Sequence, residues 1–77
     1  MEMKNNEQEK AIREKIKYFF EDKIFTHIKH KDSYFLNGYF IKEVRPDLWL
    51  FKERKLGEIF IHISEMRDVN KYEVVEE

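Results

Sequence analysis

Apolar side chains recur at helical spacing near the start of the chain, and the positions between them are mostly charged. The apolar stripe consists of Ile12, Ile16, Phe19 and Phe20. A stripe of this kind is typical of an amphipathic helix that buries one face against a core. Asn6, followed three positions later by Glu9, fits a capping box, because the two side chains can satisfy unpaired backbone N–H groups. We therefore predict a helix over residues 6–21 that covers one opening of the remaining structure.

Beyond residue 22 the spacing of apolar residues changes from helical to alternating, which is the period of β-strands. Five alternating segments follow, with short polar links between them. They span residues 24–29, 34–44, 48–53, 59–63 and 69–74. Consecutive strands joined by short links form an antiparallel meander, and a small sheet of this kind must curl to bury one face. The predicted fold is mainly β with one N-terminal α-helix. It is a single domain over residues 1–77, in which residues 23–75 form a small, five-stranded, strongly bent antiparallel barrel.

Two short segments decide how the strands connect. Asn37-Gly38 lies in the middle of the second strand and could form the tip of a hairpin. A tip there leaves very short flanking strands, so we prefer one long strand that bends at Gly38, where the missing side chain lets the sheet fold over itself. The segment Ser64-Glu65-Met66 interrupts the alternation and predicts a single helical turn between the last two strands.

Composition narrows the class of protein. The chain has 77 residues and no cysteine, so neither disulfides nor thiolate metal sites can supplement its small core. Seven Phe, four Tyr and one Trp offer more aromatic surface than such a core can bury, which favours self-association. The net charge is −1, without the basic excess of a duplex-DNA binder. No apolar run could span a bilayer and no signal-peptide core is present, so we expect a soluble, cytoplasmic protein without membrane contact.

Four short segments accompany this order of elements, after a helix that ends at Phe20. They are Lys29-His30-Lys31-Asp32, Asn37-Gly38, Leu48-Trp49-Leu50-Phe51 and Ile61-His62-Ile63-Ser64. Together they resemble the Sm-like family, which includes archaeal Sm-like proteins and bacterial Hfq RNA chaperones; other small barrels of the SH3-like kind share much of the layout. The resemblance implies a homo-oligomeric ring of six or seven copies, in which the fourth strand of one copy pairs with the fifth strand of the next. It also implies binding of single-stranded RNA around the central pore.

The resemblance points to Arg45, His62 and Arg67 as nucleic-acid-binding residues, since it places the turns after the second and fourth strands at the pore. Each has an ordinary alternative. An arginine in a turn is usually just solvated, and His62 alternates out of phase with three isoleucines, which fits an outer or interfacial face. The family's base-reading asparagine at the start of the third strand and its arginine-glycine pair after the fourth strand are both absent.

Two further candidates concern metals and base stacking. His27 and His30 are the closest histidine pair, but residues three apart on a strand point to opposite faces, so we predict no metal site. Trp49 could stack a nucleic-acid base, although its apolar neighbours favour packing. Tyr34 and Tyr39 flank the bent strand and could serve either purpose.

No serine is paired with a base, the acidic residues are spread singly, and no glycine-rich phosphate loop is present, so we predict neither an enzyme nor a cofactor. The expected function is that of an Sm-like ring that binds single-stranded RNA and modulates its pairing or turnover. The alternative is a non-enzymatic protein-interaction or scaffold module of the same small-barrel fold, which the excess of apolar surface and the near-zero net charge also fit. A small DNA-binding regulator is a more distant alternative, because the sequence offers neither a recognition helix nor a basic stripe.

Overall fold

One helix precedes five strands in a computed structural model that describes residues 3–73 of the chain. The elements are α1 (Met3–Glu21), β1 (Thr26–His30), β2 (Phe35–Arg45), β3 (Leu48–Glu53), β4 (Gly57–His62), a 3₁₀ turn (Ile63–Glu65) and β5 (Met66–Lys71). Every strand pair is antiparallel, and the strand order is β4-β3-β2-β1-β5. The predicted mainly β fold with an N-terminal helix is confirmed, as is the single helical turn before the last strand.

Some element boundaries differ from the prediction. The helix begins at Met3, so Asn6 lies inside it and cannot be its N-cap, because the polar residues before Asn6 continue the helix. The fifth strand begins at Met66 instead of Val69, because Met66 already pairs with His30 of β1. The predicted end of that strand, Val74, lies outside the described residues.

The sheet does not close into the predicted barrel. β5 pairs with β1 along one edge only, and β4 pairs only with β3, so the described residues leave two edge strands that do not pair with each other. β2 instead joins the two parts of the sheet, because its first residues pair with β1 and its later residues pair with β3. Its Gly38 pairs with Thr26 on one side and with Glu53 on the other.

Gly38 lies inside β2, as predicted, and not at a hairpin tip. A Cβ atom at this position would lie 1.8 Å from the carbonyl oxygen of Lys52 on β3. No side chain fits at that distance. Glycine is therefore required here because two backbones approach closely.

The core lies between α1 and one face of the sheet, which we call the inner face. The helix contributes the predicted stripe, with Ile12, Ile16 and Phe19 buried and Phe20 packed beside them. The sheet and the 3₁₀ turn contribute Ile28, Leu36, Phe40, Trp49, Phe51, Ile61, Ile63, Met66 and Val69. Trp49 makes edge-on contacts with Phe20 and Phe40, at centroid distances of 5.2 and 5.4 Å. It is a core residue, as its neighbours predicted. No helix in this part of the chain is long and apolar enough to cross a membrane.

Candidate nucleic-acid interface

Two of the three predicted site residues, Arg45 on β2 and His62 on β4, lie on either side of the first residue of β3. Leu48, the first residue of β3, pairs with Arg45 of β2 on one side and with His62 of β4 on the other. Directly paired residues on antiparallel strands point to the same face. Arg45 and His62 are therefore the strand neighbours of Leu48, which alternates with buried Trp49 and lies on the face opposite the core, which we call the outer face.

His62 also holds the 3₁₀ turn in place. Its Nδ1 accepts a hydrogen bond from the backbone N–H of Ser64 at 3.0 Å, and its own backbone N–H donates to the Glu65 carboxylate at 3.2 Å. Because Nδ1 accepts, the neutral ring carries its hydrogen on Nε2. His62 thus combines a structural role with a donor available for recognition chemistry.

Asp47 fixes the same end of the sheet to the helix. Its carboxylate accepts two hydrogen bonds from Arg13, at 2.8 and 2.9 Å, and its carbonyl oxygen accepts the backbone N–H of Ile63 at 2.9 Å. The hydrogen bond from Arg13 outweighs partial burial and holds the pKa of Asp47 below its usual value. The charge of Arg13 is balanced by this pair, whereas Arg45 at the end of β2 is exposed.

Arg67 lies on the far side of the 3₁₀ turn from Arg45. It lines a groove of about 270 Å³ between α1 and the turn, together with Gln8, Lys31 and Ser64. Gln8 Nε2 donates to its carbonyl oxygen at 3.2 Å. The structure therefore places Arg45 and His62 on either side of Leu48, and places Arg67 with Ser64 at the groove on the other side of the 3₁₀ turn. We call Arg45, His62, Ser64 and Arg67 the rim cluster.

The two edges of the sheet differ in character. Beside β4, three exposed apolar residues, Tyr34, Leu56 (65% exposed) and Phe60 (64%), line a groove of about 290 Å³. β4 contains neither lysine nor proline, and its register with β3 is uninterrupted. These are the features of an edge without protection against pairing. The β5 edge is polar instead, because Lys15 reaches across to the side chains of Asp68 and Asn70.

A second feature of the outer face was not predicted from the sequence, apart from Tyr39 as a single stacking residue. Five rings contact one another there. They belong to Phe35, His27, Tyr72, Phe25 and Tyr39, in order of contact, and we call them the outer aromatic cluster. The signal in the sequence was the alternation itself, since rings occupy the strand positions between buried residues in both β1 and β2.

His27 and His30 point to opposite faces, as predicted. His30 is buried and stacks on Tyr34, whereas His27 stacks on Phe35 at the outer face. Among residues 3–73, no three His, Asp or Glu side chains come together as metal ligands.

No family model, no curated protein and no solved structure matches this chain.

Proposed function

We propose that this chain is a ring-forming Sm-like protein that binds single-stranded RNA and modulates its pairing or turnover. The observation that carries the proposal is the unprotected apolar edge of β4. An edge of this kind presents unpaired backbone N–H and C=O groups beside apolar side chains, and a second strand satisfies both.

β5, the strand at the opposite edge of the sheet, can supply the partner strand, because its length matches that of β4 although its side chains are more polar. β4 (Gly57–His62) and β5 (Met66–Lys71) are both six residues long, so they can pair over their full length between two copies. A contact between different surfaces of two identical chains repeats from copy to copy, and it closes into a ring when the rotation allows. Such pairing would also cover Leu56 and Phe60.

The rim cluster provides the RNA contact in this proposal. His62 ends β4, Arg67 is the second residue of β5, and Arg45 at the end of β2 is separated from His62 by Leu48, so every copy in a ring would present these three residues near the two strands that pair with its neighbours. Arginine forms forked hydrogen bonds with phosphate, and a protonated ring nitrogen of histidine can donate to phosphate or to a base edge. A repeated array of such groups suits a flexible single strand.

Light scattering tests the assembly. The proposal predicts the mass of six or seven chains, and Phe60→Lys should lower that mass, because a charge at the apolar edge opposes pairing. Val44→Lys is the matched control, since Val44 is exposed on β2 away from either edge. A wild-type monomer would refute the ring.

Fluorescence anisotropy with labelled oligo-U and oligo-A tests the RNA contact. Each phosphate contact on a single strand contributes a slope of about −0.7 in the plot of log affinity against log salt. Arg45→Ala combined with Arg67→Ala should therefore weaken binding and flatten the slope by about 1.4. Arg54→Ala is the control, because Arg54 is exposed in the turn between β3 and β4 at the other end of the sheet. No binding at high micromolar protein and low salt would refute RNA recognition.

The second candidate is a protein-interaction module of the same fold. The exposed apolar residues beside β4 favour it, because an apolar groove beside an open edge also accepts a strand from a different protein. A monomeric mass, together with a pull-down that recovers a protein and no RNA, would favour this alternative.

A further inference from the structure

We propose that the outer aromatic cluster is a base-stacking surface for single-stranded RNA, separate from the rim cluster. This inference rests on the proposed function, because it assigns a second contact with the same class of ligand.

The rings form one continuous arc. Phe35 stacks on His27 with centroids 4.7 Å apart and an angle of 20° between the ring planes. His27 contacts Tyr72 at 6.0 Å, Tyr72 meets Phe25 edge-on at 5.1 Å, and Phe25 meets Tyr39 at 5.1 Å. The arc thus includes residues of β2 and β1, the residue before β1 and the residue after β5, and both of its ends lie on β2.

The two ends of the arc are its most exposed parts. Phe35 is 52% exposed and Tyr39 is 44% exposed, whereas the three rings between them are half-buried. His27 is further held by a hydrogen bond between its Nδ1 and the Asn37 side chain. Rings that fix one another in the free protein lose little conformational entropy when a ligand stacks on them.

A lysine accompanies each exposed end. Lys29 pairs with Phe35 across β1 and β2, and its ammonium lies 6.0 Å from the centre of the Phe35 ring. Lys52 pairs with Tyr39 of β2 on one side and with Glu58 of β4 on the other, and no ion pair joins Lys52 to Glu58 in the described residues. Asp68, which pairs with Lys29 on its other side, binds Lys15 of the helix at 3.4 Å. Each end of the arc therefore combines an aromatic face with a cation.

This combination identifies the occupant. Aromatic faces accept any base, and adjacent cations bind the phosphate backbone, which is how proteins bind single strands without reading a sequence. Interfaces between proteins are instead depleted in lysine. β1 and β2 each pair on both sides within one chain, so strand addition at the sheet edges leaves this face uncovered.

Anisotropy with oligo-U, measured against a sugar–phosphate oligomer of equal length that lacks bases, separates stacking from charge. Phe35→Ala combined with Tyr39→Ala should weaken oligo-U binding about tenfold or more, because stacking contributes on that scale per base. Binding of the base-free oligomer should stay unchanged, as should the salt slope, because no charge is removed. Tyr18→Ala is the matched control, an exposed aromatic residue on α1 outside the cluster.

The double variant Phe35→Leu with Tyr39→Leu is a second test in case the alanine variant does not fold. Leucine keeps apolar bulk on the strand but removes the ring. The same selective loss of oligo-U binding is expected for both double variants. Wild-type affinity for oligo-U in a folded double variant would overturn the stacking surface while the rim contact stands. A change in mass by light scattering without a change in RNA affinity would also overturn it, in favour of a second copy as the occupant. If the wild-type protein binds neither oligomer, the proposed function falls as well.

Discussion

The two faces of the sheet carry similar rings in different surroundings. On the inner face Phe40 contacts Phe51 and Trp49 at 4.9 and 5.4 Å, and all three residues are buried. On the outer face the contacts are similarly short, from 4.7 to 6.0 Å, yet Phe35 and Tyr39 stay 52% and 44% exposed. Contact between rings therefore does not by itself distinguish a core from an exposed surface. The distinguishing property is burial, which is nearly complete on the side that α1 packs against.

The inner face should therefore contribute more to the stability of the fold than the outer face. Burial stabilises a ring by removing its surface from water, and a ring that stays half exposed contributes only part of that free energy. The same substitution should therefore lower the free energy of unfolding more on the inner face than on the outer face.

The largest loss of stability is expected on substitution of Gly38, which lies on the inner face. Gly38→Ala places a Cβ atom 1.8 Å from the Lys52 carbonyl oxygen, so β2 and β3 must separate and the sheet should not form. The control is Gly57→Ala, where no atom lies within 4 Å and the left-handed backbone (φ +86°) alone opposes the change, at about 1 kcal/mol. Circular dichroism during thermal unfolding distinguishes the two variants. A Gly38→Ala protein that melts like the wild type would contradict the close approach of the strands.

The second prediction compares one ring from each face. Phe51→Ala should lower the free energy of unfolding by about 3–5 kcal/mol, because Phe51 is fully buried and leaves a cavity. Phe35→Ala should lower it by about 1 kcal/mol or less, since half of the ring already faces water. Urea unfolding monitored by Trp49 fluorescence gives both values. Equal losses would mean that the outer ring is covered, and the comparison of faces would fail.

The third prediction concerns Glu53, a buried carboxylate on the inner face at the end of β3. Burial opposes its charge, but the backbone N–H groups of Asn37, Leu56 and Lys55 donate to the carboxylate and hold its pKa below the usual value. Glu53→Gln should cost about 1–3 kcal/mol at neutral pH, because the charge that strengthens these hydrogen bonds is lost.

The pH dependence of stability checks this interpretation of Glu53. A carboxyl group whose pKa is lowered by folding stabilises the protein fully above its unfolded pKa of about 4.3, and this contribution is lost as the pH falls through the folded-state value. Chemical unfolding at pH 7 and pH 3 should therefore show a smaller difference between wild type and Glu53→Gln at pH 3. If the difference in unfolding free energy between the two proteins is the same at both pH values, the loss of stability comes from altered packing and not from the lost charge.

Much of the fold can be predicted from the sequence. The spacing of apolar residues alone distinguishes the helix from the strands, and a hairpin tip at Gly38 would leave strands too short on either side. The sequence does not predict which side chains from different strands lie beside one another. Arg45 flanks Leu48 only because the β2–β3 register shifts twice, between Phe40 and Lys42 and again before Arg45. The outer aromatic cluster joins residues from β1, β2 and the end of β5, so its rings could be grouped only once the strand order was known. Whether the sheet closes into a barrel depends on whether its two edge strands pair. The spacing of apolar residues identifies strands but does not predict which of them pair.

The smallest effect is expected at the Arg13–Asp47 pair, which joins the helix to the turn between β2 and β3. Asp47 has a left-handed backbone (φ 69°), a conformation that asparagine also adopts, so Asp47→Asn removes the charge and keeps the turn. The loss should be about 1 kcal/mol or less at low salt and should shrink as salt screens the exposed pair. Arg13→Gln should cost a similar amount, and the double variant should cost little more than either single change, because both remove one interaction. Urea unfolding of the four proteins at two salt concentrations measures this coupling. Fully additive losses would show that the pair does not act as a unit, and that the helix is held over the inner face by its apolar stripe alone.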